Sequence, residues 1–242
     1  MATSAQPNTP SLWTYTPNCE TALIVPIHNL LPALLSGVAG MVDVIGFLGL
    51  GLFTAHVTGN LVVIAAVLVR GGPPNLVQIL AVPIFMSGVA AVWLIAKVSG
   101  RRGLALTNLL LKVHFLLLAS VLVFSVVFNP AVHPHGLMAG IAAMIAVSAM
   151  ACQFALLHLA VPGAPSTAVM TGNLTSGVLT LLDVLWRGQS HGGEANDRLK
   201  KTAELLIGFC AGSVIGAMAV SWCGPWAWSF PVALAGLAMT LN

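Results

Sequence analysis

The sequence predicts an all-α polytopic membrane protein with about six transmembrane helices and two short re-entrant or broken helices, arranged as two inverted repeats. Three observations lead there: a composition too apolar for water, six long apolar runs, and one octapeptide that occurs twice. Of 242 residues, 58% are hydrophobic and only 6% charged, with a mean hydropathy of +0.97. A soluble domain carries roughly 25% charged residues, so this chain cannot coat a globule with solvated surface. That excludes a soluble enzyme, a disordered protein and a secreted disulfide scaffold.

The chain opens with residues 1–29, rich in Ser, Thr and Pro, with Glu20 as the single charged side chain. There is no basic start followed by a short apolar core and cleavage site, so a removable signal peptide is not expected. A flexible tail is the expectation, as for most chain termini. The remainder, residues 30–242, reads as one transmembrane domain, with repeat one at about 30–127 and repeat two at about 136–242.

A helix that crosses a bilayer needs about 20 mostly apolar residues. Full-length candidates lie near 31–52, 76–98, 104–127, 136–160, 201–222 and 225–241, and two shorter runs near 58–69 and 171–186. Basic residues decide how to count the short ones, because Lys and Arg gather in cytoplasmic loops. They cluster at Lys97, Arg101 and Arg102, and again at Arg187, Arg198, Lys200 and Lys201. Eight crossings would set these clusters on opposite sides. Six crossings set both on one side and leave only Arg70 opposed. We therefore expect six crossings, two returning segments and both termini in the cytoplasm.

Residues 54–61 read Thr-Ala-His-Val-Thr-Gly-Asn-Leu and residues 167–174 read Thr-Ala-Val-Met-Thr-Gly-Asn-Leu, six of eight positions agreeing at an offset of 113. A Phe-x-x-Gly pair follows each copy (Phe85/Gly88 and Phe209/Gly212), and an intramembrane polar residue precedes each (Asp43 and Gln153). Three matches in one order indicate duplication. With three crossings per half the second copy is upside down, the construction of transporters whose sites lie where broken helices meet at the midplane.

Candidate site residues follow from these copies. Thr58, Gly59 and Asn60 in the first, and Thr171, Gly172 and Asn173 in the second, can open a helix inside the membrane. Thr and Asn are good caps, and Gly permits close backbone approach. Such a helix start offers N–H groups and partial positive charge to a polar or anionic solute. The bland alternatives are caps that only satisfy broken helix ends and small-residue packing with Thr and Asn hydrogen bonds. Asp43 sits mid-span, where an ionised carboxylate is costly and by default functional. A protonated or structural carboxylate is the other reading. His56 can share a proton with Asp43 or be a satisfied core histidine. Gln153 can offer donor and acceptor opposite Asp43, or simply pack.

Nothing points to an enzyme: Gly-x-Ser-x-Gly, His-Glu-x-x-His, phosphate-loop and dinucleotide signatures are missing from the sequence. The four cysteines (Cys19, Cys152, Cys210 and Cys223) have no CxxC or metal spacing, so no metal or cofactor is expected. The net charge of +3 comes with no basic patch interleaved with aromatics, which argues against nucleic acid.

Gly40-x-x-Asp43 leading to Phe53-x-x-x-x-Thr58-Gly59-Asn60, then Gln153, then Thr171-Gly172-Asn173, resembles the YoaK-like bacterial membrane proteins, a domain of unknown function. The resemblance covers roughly residues 30–240. It implies a multi-spanning bacterial inner-membrane protein of small-transporter type, without a substrate. The leading expectation is a secondary transporter or channel-like carrier of a small polar or anionic solute, with protons as the coupling ion at Asp43. Its rival is a non-transporting scaffold or lipid-binding module of the bilayer.

Overall fold

The structure, a computed structural model, describes residues 30–73, 75–133, 136–161, 167, 170–187 and 192–241. The proposed N-terminal tail at 1–29 lies outside the described residues. Eight α-helices carry the fold: α1 (Leu31–Leu50), α2 (Val57–Val69), α3 (Leu76–Ser99), α4 (Leu104–Phe128), α5 (Leu137–Ala160), α6 (Met170–Arg187), α7 (Gly192–Cys223) and α8 (Ser229–Thr240). The described residues contain no strand. In hydrocarbon the backbone has no water to bond to, and a helix satisfies its own N–H and C=O groups.

Five stretches are long and apolar enough to cross a membrane: α1, α3, α4, α5 and a 45-residue run from Asn196 to Thr240. That last run would be about 68 Å long as one helix, more than twice the hydrocarbon thickness. It folds back at Gly224, whose φ of 54° lies in the left-handed region. Before the turn, Ser36 Oγ donates to Leu205 O (2.7 Å) at the start of α1, and Val220 lies with Ile45 at its end. After the turn, Trp228 lines the same chamber as Ile45, whereas Ala238 packs with Leu31 and Leu35. Six helices, α1, α3, α4, α5, α7 and α8, therefore run along the bundle, and the five stretches they form are long and apolar enough to cross a membrane.

Packing fixes their directions. One end of the bundle gathers Leu31, Leu35, Val92, Leu106, Leu110, Leu156, Ala160 and Ala238. At the other, Leu50, Ser125, Asn129, Val220 and Trp228 surround a chamber of about 290 Å³. Helices α1, α4 and α7 run from the first end to the second, and α3, α5 and α8 return. Lys97, Arg101 and Arg102 flank the end of α3, and Lys200 and Lys201 precede Leu205, so both basic clusters lie at the first end. The described chain also begins and ends there.

The central helices are α1 and α5, two-thirds or more of whose apolar windows are buried (67% and 72%). Against α1, α7 runs parallel and very close. A Cβ at Gly212 would overlap the Gly37 carbonyl, one at Gly40 would overlap Phe209 O, and one at Gly216 would reach Met41. Close backbone approach through small residues replaces the hydrophobic drive that lipid removes.

Helices α2 and α6 are not among the stretches long and apolar enough to cross. After α1 ends, residues 51–56 turn back up to the level of Asp43. The 13-residue α2, about 20 Å long, then descends until Val67 meets Gly51 and Asn75 at the second end. Helix α6 does the reverse. Gly177, seven residues into it, packs on Thr202, three residues before the Leu205 that marks the first end. Its first turn thus lies deeper, and it leaves through the first end.

Candidate functional site

The first returning segment is built around one carboxylate. Asp43 is 5% exposed, and its Oδ1 accepts the backbone N–H groups of Thr54 (2.9 Å), Ala55 (2.8 Å) and His56 (3.3 Å). Its Oδ2 lies 2.8 Å from His56 Nδ1. The tip of a loop inside a membrane has backbone donors that neither helix nor water satisfies. Here one carboxyl oxygen from the adjacent helix accepts three of them at once. His56 precedes α2 without a side-chain cap bond, and Asp43, thirteen residues upstream, binds the three N–H groups that lead into the helix.

The Thr-Gly-Asn triplet closes the same loop from the other side. Asn60, fully buried, accepts Phe53 N–H through Oδ1 (2.8 Å) and donates to Phe53 O through Nδ2 (2.8 Å). It pairs with Phe53 much as a neighbouring strand would. A Cβ at Gly59 would stand 3.2 Å from the Phe53 ring, so glycine lets that ring lie against the helix start. Thr54 Oγ1 donates to Val42 O (3.0 Å), and Gly46 leaves room for the Thr54 methyl. Phe47 stacks on Phe53 (4.6 Å), and the His56 ring meets Phe209 of α7 edge-on (5.2 Å). Thr58 faces outward and is exposed.

The second segment repeats the frame. Helices α2 and α6 each begin one residue before their Thr-Gly-Asn, at Val57 and Met170. Asp43 and Gln153 each stand seven residues before the last residue of their helix, Leu50 and Ala160. Ser99 and Cys223 end α3 and α7, and each is followed by a glycine of positive φ (62° at Gly100, 54° at Gly224). Thr171 is exposed like Thr58, while Gly172 and Asn173 are half-buried.

Of the residues expected at the site, the structure brings together Asp43, His56, Gly59 and Asn60. Gln153 is not opposite Asp43. It is fully buried and donates through Nε2 to Leu35 O (2.8 Å), eight residues or about 12 Å along α1 from Asp43. Thr58 and Thr171 point away from both. The N–H groups of Thr54, Ala55 and His56, which lead into α2, are held by Asp43. Three contributors were not singled out from the sequence: Thr54 and Thr167, both fully buried, and Gly46. The signal for the threonines was present, since each is the first letter of the repeated octapeptide.

This arrangement defines a class: a polytopic helical membrane protein of two inverted halves, each with a shorter helix that opens on Thr-Gly-Asn, the first of them tied at its entry to a buried carboxyl group. Within that class the chain belongs to the family described as "Protein of unknown function (DUF1275)", whose model matches residues 31–241. No curated protein and no solved structure matches it.

Proposed function

We propose that this protein is a secondary transporter or channel-like carrier of a small polar solute. We place it among the YoaK-like proteins of the bacterial inner membrane, with its basic end and both termini in the cytoplasm. The observation that carries the reading is the Asp43 clamp, a buried carboxylate holding the tip of a returning half-helix inside the bundle, in a fold whose other half repeats the frame upside down. Irregular backbone at membrane depth is tolerated where it is buried or lines a path. Inverted halves that rock against each other give alternating access. Protons would couple through Asp43 and His56, whose 2.8 Å contact changes strength when either side chain gains or loses a proton.

The test is solute and proton flux in proteoliposomes, comparing wild type with Asp43→Asn after confirming a monodisperse fold. A solute-dependent signal lost in Asp43→Asn supports the reading; a signal unchanged in that variant removes Asp43 from the path. Orientation is checked by labelling single cysteines in intact cells: Gly72→Cys from outside and Gly100→Cys only from inside.

One observation favours the rival reading. A cavity of about 1010 Å³ opens between α3 and α5, lined by Leu80, Ile84, Leu117, Met144 and Ile145, with Asn75 and Gln78 at its rim. A lipid-binding module would use that cavity and would retain lipid regardless of Asp43. Co-purified lipid that disappears when Ile84 and Ile145 become Trp, with no solute flux in any arm, would favour it.

A further inference from the structure

The chamber at the second end of the bundle holds a polar group that nothing in the protein uses. Its volume is about 290 Å³, and it lies where α1, α4 and α7 end and α8 begins. Ile45, Leu50 and Trp228 form its inner walls, each 3% exposed or less, while Asn129, Ala131 and Val132 are exposed at its mouth. The space exists because residues at these ends are small. Outside its own helix, a Cβ at Gly49 would touch only the Ala131 methyl, at 4.0 Å, and one at Gly224 would meet nothing within 4 Å. Gly224 holds a φ of 54°, so a larger residue is strained there.

Ser125 lines this chamber, is 2% exposed, and its Oγ has no hydrogen-bond partner. A serine inside an apolar helix can bond back to the preceding turn. Ser87, Ser120, Ser148 and Ser213 do so, each donating to the carbonyl oxygen four residues earlier at 2.7–2.9 Å. Ser125 forgoes that bond, and buried polar atoms are nearly always bonded, so this hydroxyl asks for a guest. Waters alone fill the chamber poorly. Each buried water makes about three hydrogen bonds, and the side chains of the inner walls offer one hydroxyl and one indole N–H among carbon. A charged guest is worse, because none of the described residues lining the chamber is charged and an unpaired buried ion is costly.

We propose that this chamber binds a small uncharged alcohol, one hydroxyl on a single short apolar chain. The chain would lie against Ile45, Leu50 and Trp228, and its hydroxyl would meet Ser125 Oγ, since an O–H both donates and accepts. The same chemistry occurs in free alcohols and in the free hydroxyl of a diacylglycerol lipid. Size selects the first. The chamber falls just below the roughly 300–1,000 Å³ of sites for drug-sized ligands, which leaves room for one short chain and not for two acyl chains. The mouth agrees, because the turns at Asn129–Val132 and Gly224–Pro225 form it at the end of the bundle. Such binding needs no transport: the guest enters from the mouth whether or not the chain carries a solute.

The test photolabels the full chain in lipid nanodiscs with a hexanol that carries a diazirine, and maps the adducts by peptide mass spectrometry. Wild type should show saturable labelling within residues 125–132 or 220–228, competed better by 1-hexanol than by hexane. Ser125→Ala removes a hydroxyl that has no partner inside the protein, so the fold stays intact. It should raise the half-saturating concentration about three- to tenfold, the effect of one hydrogen bond. Ser120→Ala, exposed on the same helix, should leave it unchanged. Gly49→Leu fills the chamber and should abolish saturable labelling; if it does not fold, Ser125→Ala decides. Labelling that only rises in proportion to dose, as for partition into lipid beside a chamber of water, overturns the proposal. Saturable labelling that Ser125→Ala leaves unchanged overturns it too. Competition by dioctanoylglycerol and not by 1-hexanol gives the chamber to a bilayer lipid and overturns the small alcohol.

Discussion

The two returning segments share a frame and differ in how completely it is closed. In the first, Asp43 accepts three backbone N–H groups and lies against His56, while Asn60 bonds both polar groups of Phe53. In the second, the residue at the Asp43 position is a neutral glutamine that reaches across to α1, and its amide oxygen and the Thr167 hydroxyl stay unpaired. The supports differ as well. The first tip hangs on α1, which α7 grips through backbone-to-backbone contact at Gly37, Gly40, Gly212 and Gly216. Helix α6 rests on α7 alone among the helices it touches substantially. Duplication thus supplies two equal scaffolds, and one aspartate converts the first into an anchor. On the transport reading proposed above, the closed first tip would be the fixed element and the second segment the one that responds.

The sharpest way to break this comparison is to remove the anchor. Asp43→Ala leaves three tip N–H groups without their acceptor, and each buried donor left unmet costs about 1–3 kcal/mol. The equivalent Gln153→Ala removes a single bond and should cost about 1–2 kcal/mol. Reversible SDS unfolding in mixed micelles, followed by helical circular dichroism, should rank them in that order. Equal losses would mean that the halves are energetically alike and that the anchor is a misnomer. This result also bears on the scaffold reading, because Asp43 then matters for folding whatever the protein carries.

The support comes next. Gly212→Val drives a branched side chain into the Gly37 backbone, where neither partner can retreat, and overpacking of this kind costs typically about 1–3 kcal/mol. Gly177→Ala, where a Cβ would sit 3.1 Å from the Thr202 methyl, needs only a side-chain adjustment. It should fall below about 1 kcal/mol. The same unfolding assay measures both. A Gly177 effect as large as that of Gly212 would show α6 held as rigidly as α1.

Within the Thr-Gly-Asn triplet the comparison sharpens further. Asn60→Ala breaks two buried bonds to Phe53 and should cost about 1–2 kcal/mol, since side-chain hydrogen bonds inside membrane bundles average near 0.6 kcal/mol each. Thr58→Val, two residues away and exposed, should stay within about 0.5 kcal/mol. Unfolding midpoints that moved equally would contradict the division of labour seen in the triplet.

Much of this was legible in the sequence. Apolar runs and two basic clusters yielded six crossings with two returns, because the bilayer fixes helix length and charge fixes side. Residues 54–61 and 167–174 exposed the duplication. What stayed hidden was pairing across the chain. The triplet announces a helix start but cannot say what faces it, so neither the hold of Asp43 on Thr54, Ala55 and His56 nor that of Asn60 on Phe53 could be read from it. Asp43 and Gln153 were matched as the polar residues that precede the two copies, but their register was masked by connector length. Six residues separate α1 from α2 and nine separate α5 from α6, so an offset of 113 that aligns the triplets misaligns the preceding helices by three. Nearly one turn of helix suffices to move a side chain to a different neighbour, and Gln153 faces Leu35 in place of Asp43.

The smallest expected effect is the most discriminating. His56 is the position at which the octapeptides differ in polarity, with Val169 in the second copy. His56→Val therefore makes the first copy resemble the second there while leaving Asp43 its three backbone donors. If those donors are the anchor, the variant should lose under about 1 kcal/mol, one side-chain contact in a membrane bundle, and the tip should remain closed. If the proton-coupled reading holds, proton flux should nevertheless change, because Asp43 then lacks its side-chain contact with His56. A loss near that of Asp43→Ala would place the anchoring energy in the His56–Asp43 contact instead. The first tip would then respond to pH as a whole, and the fixed and moving halves would exchange roles.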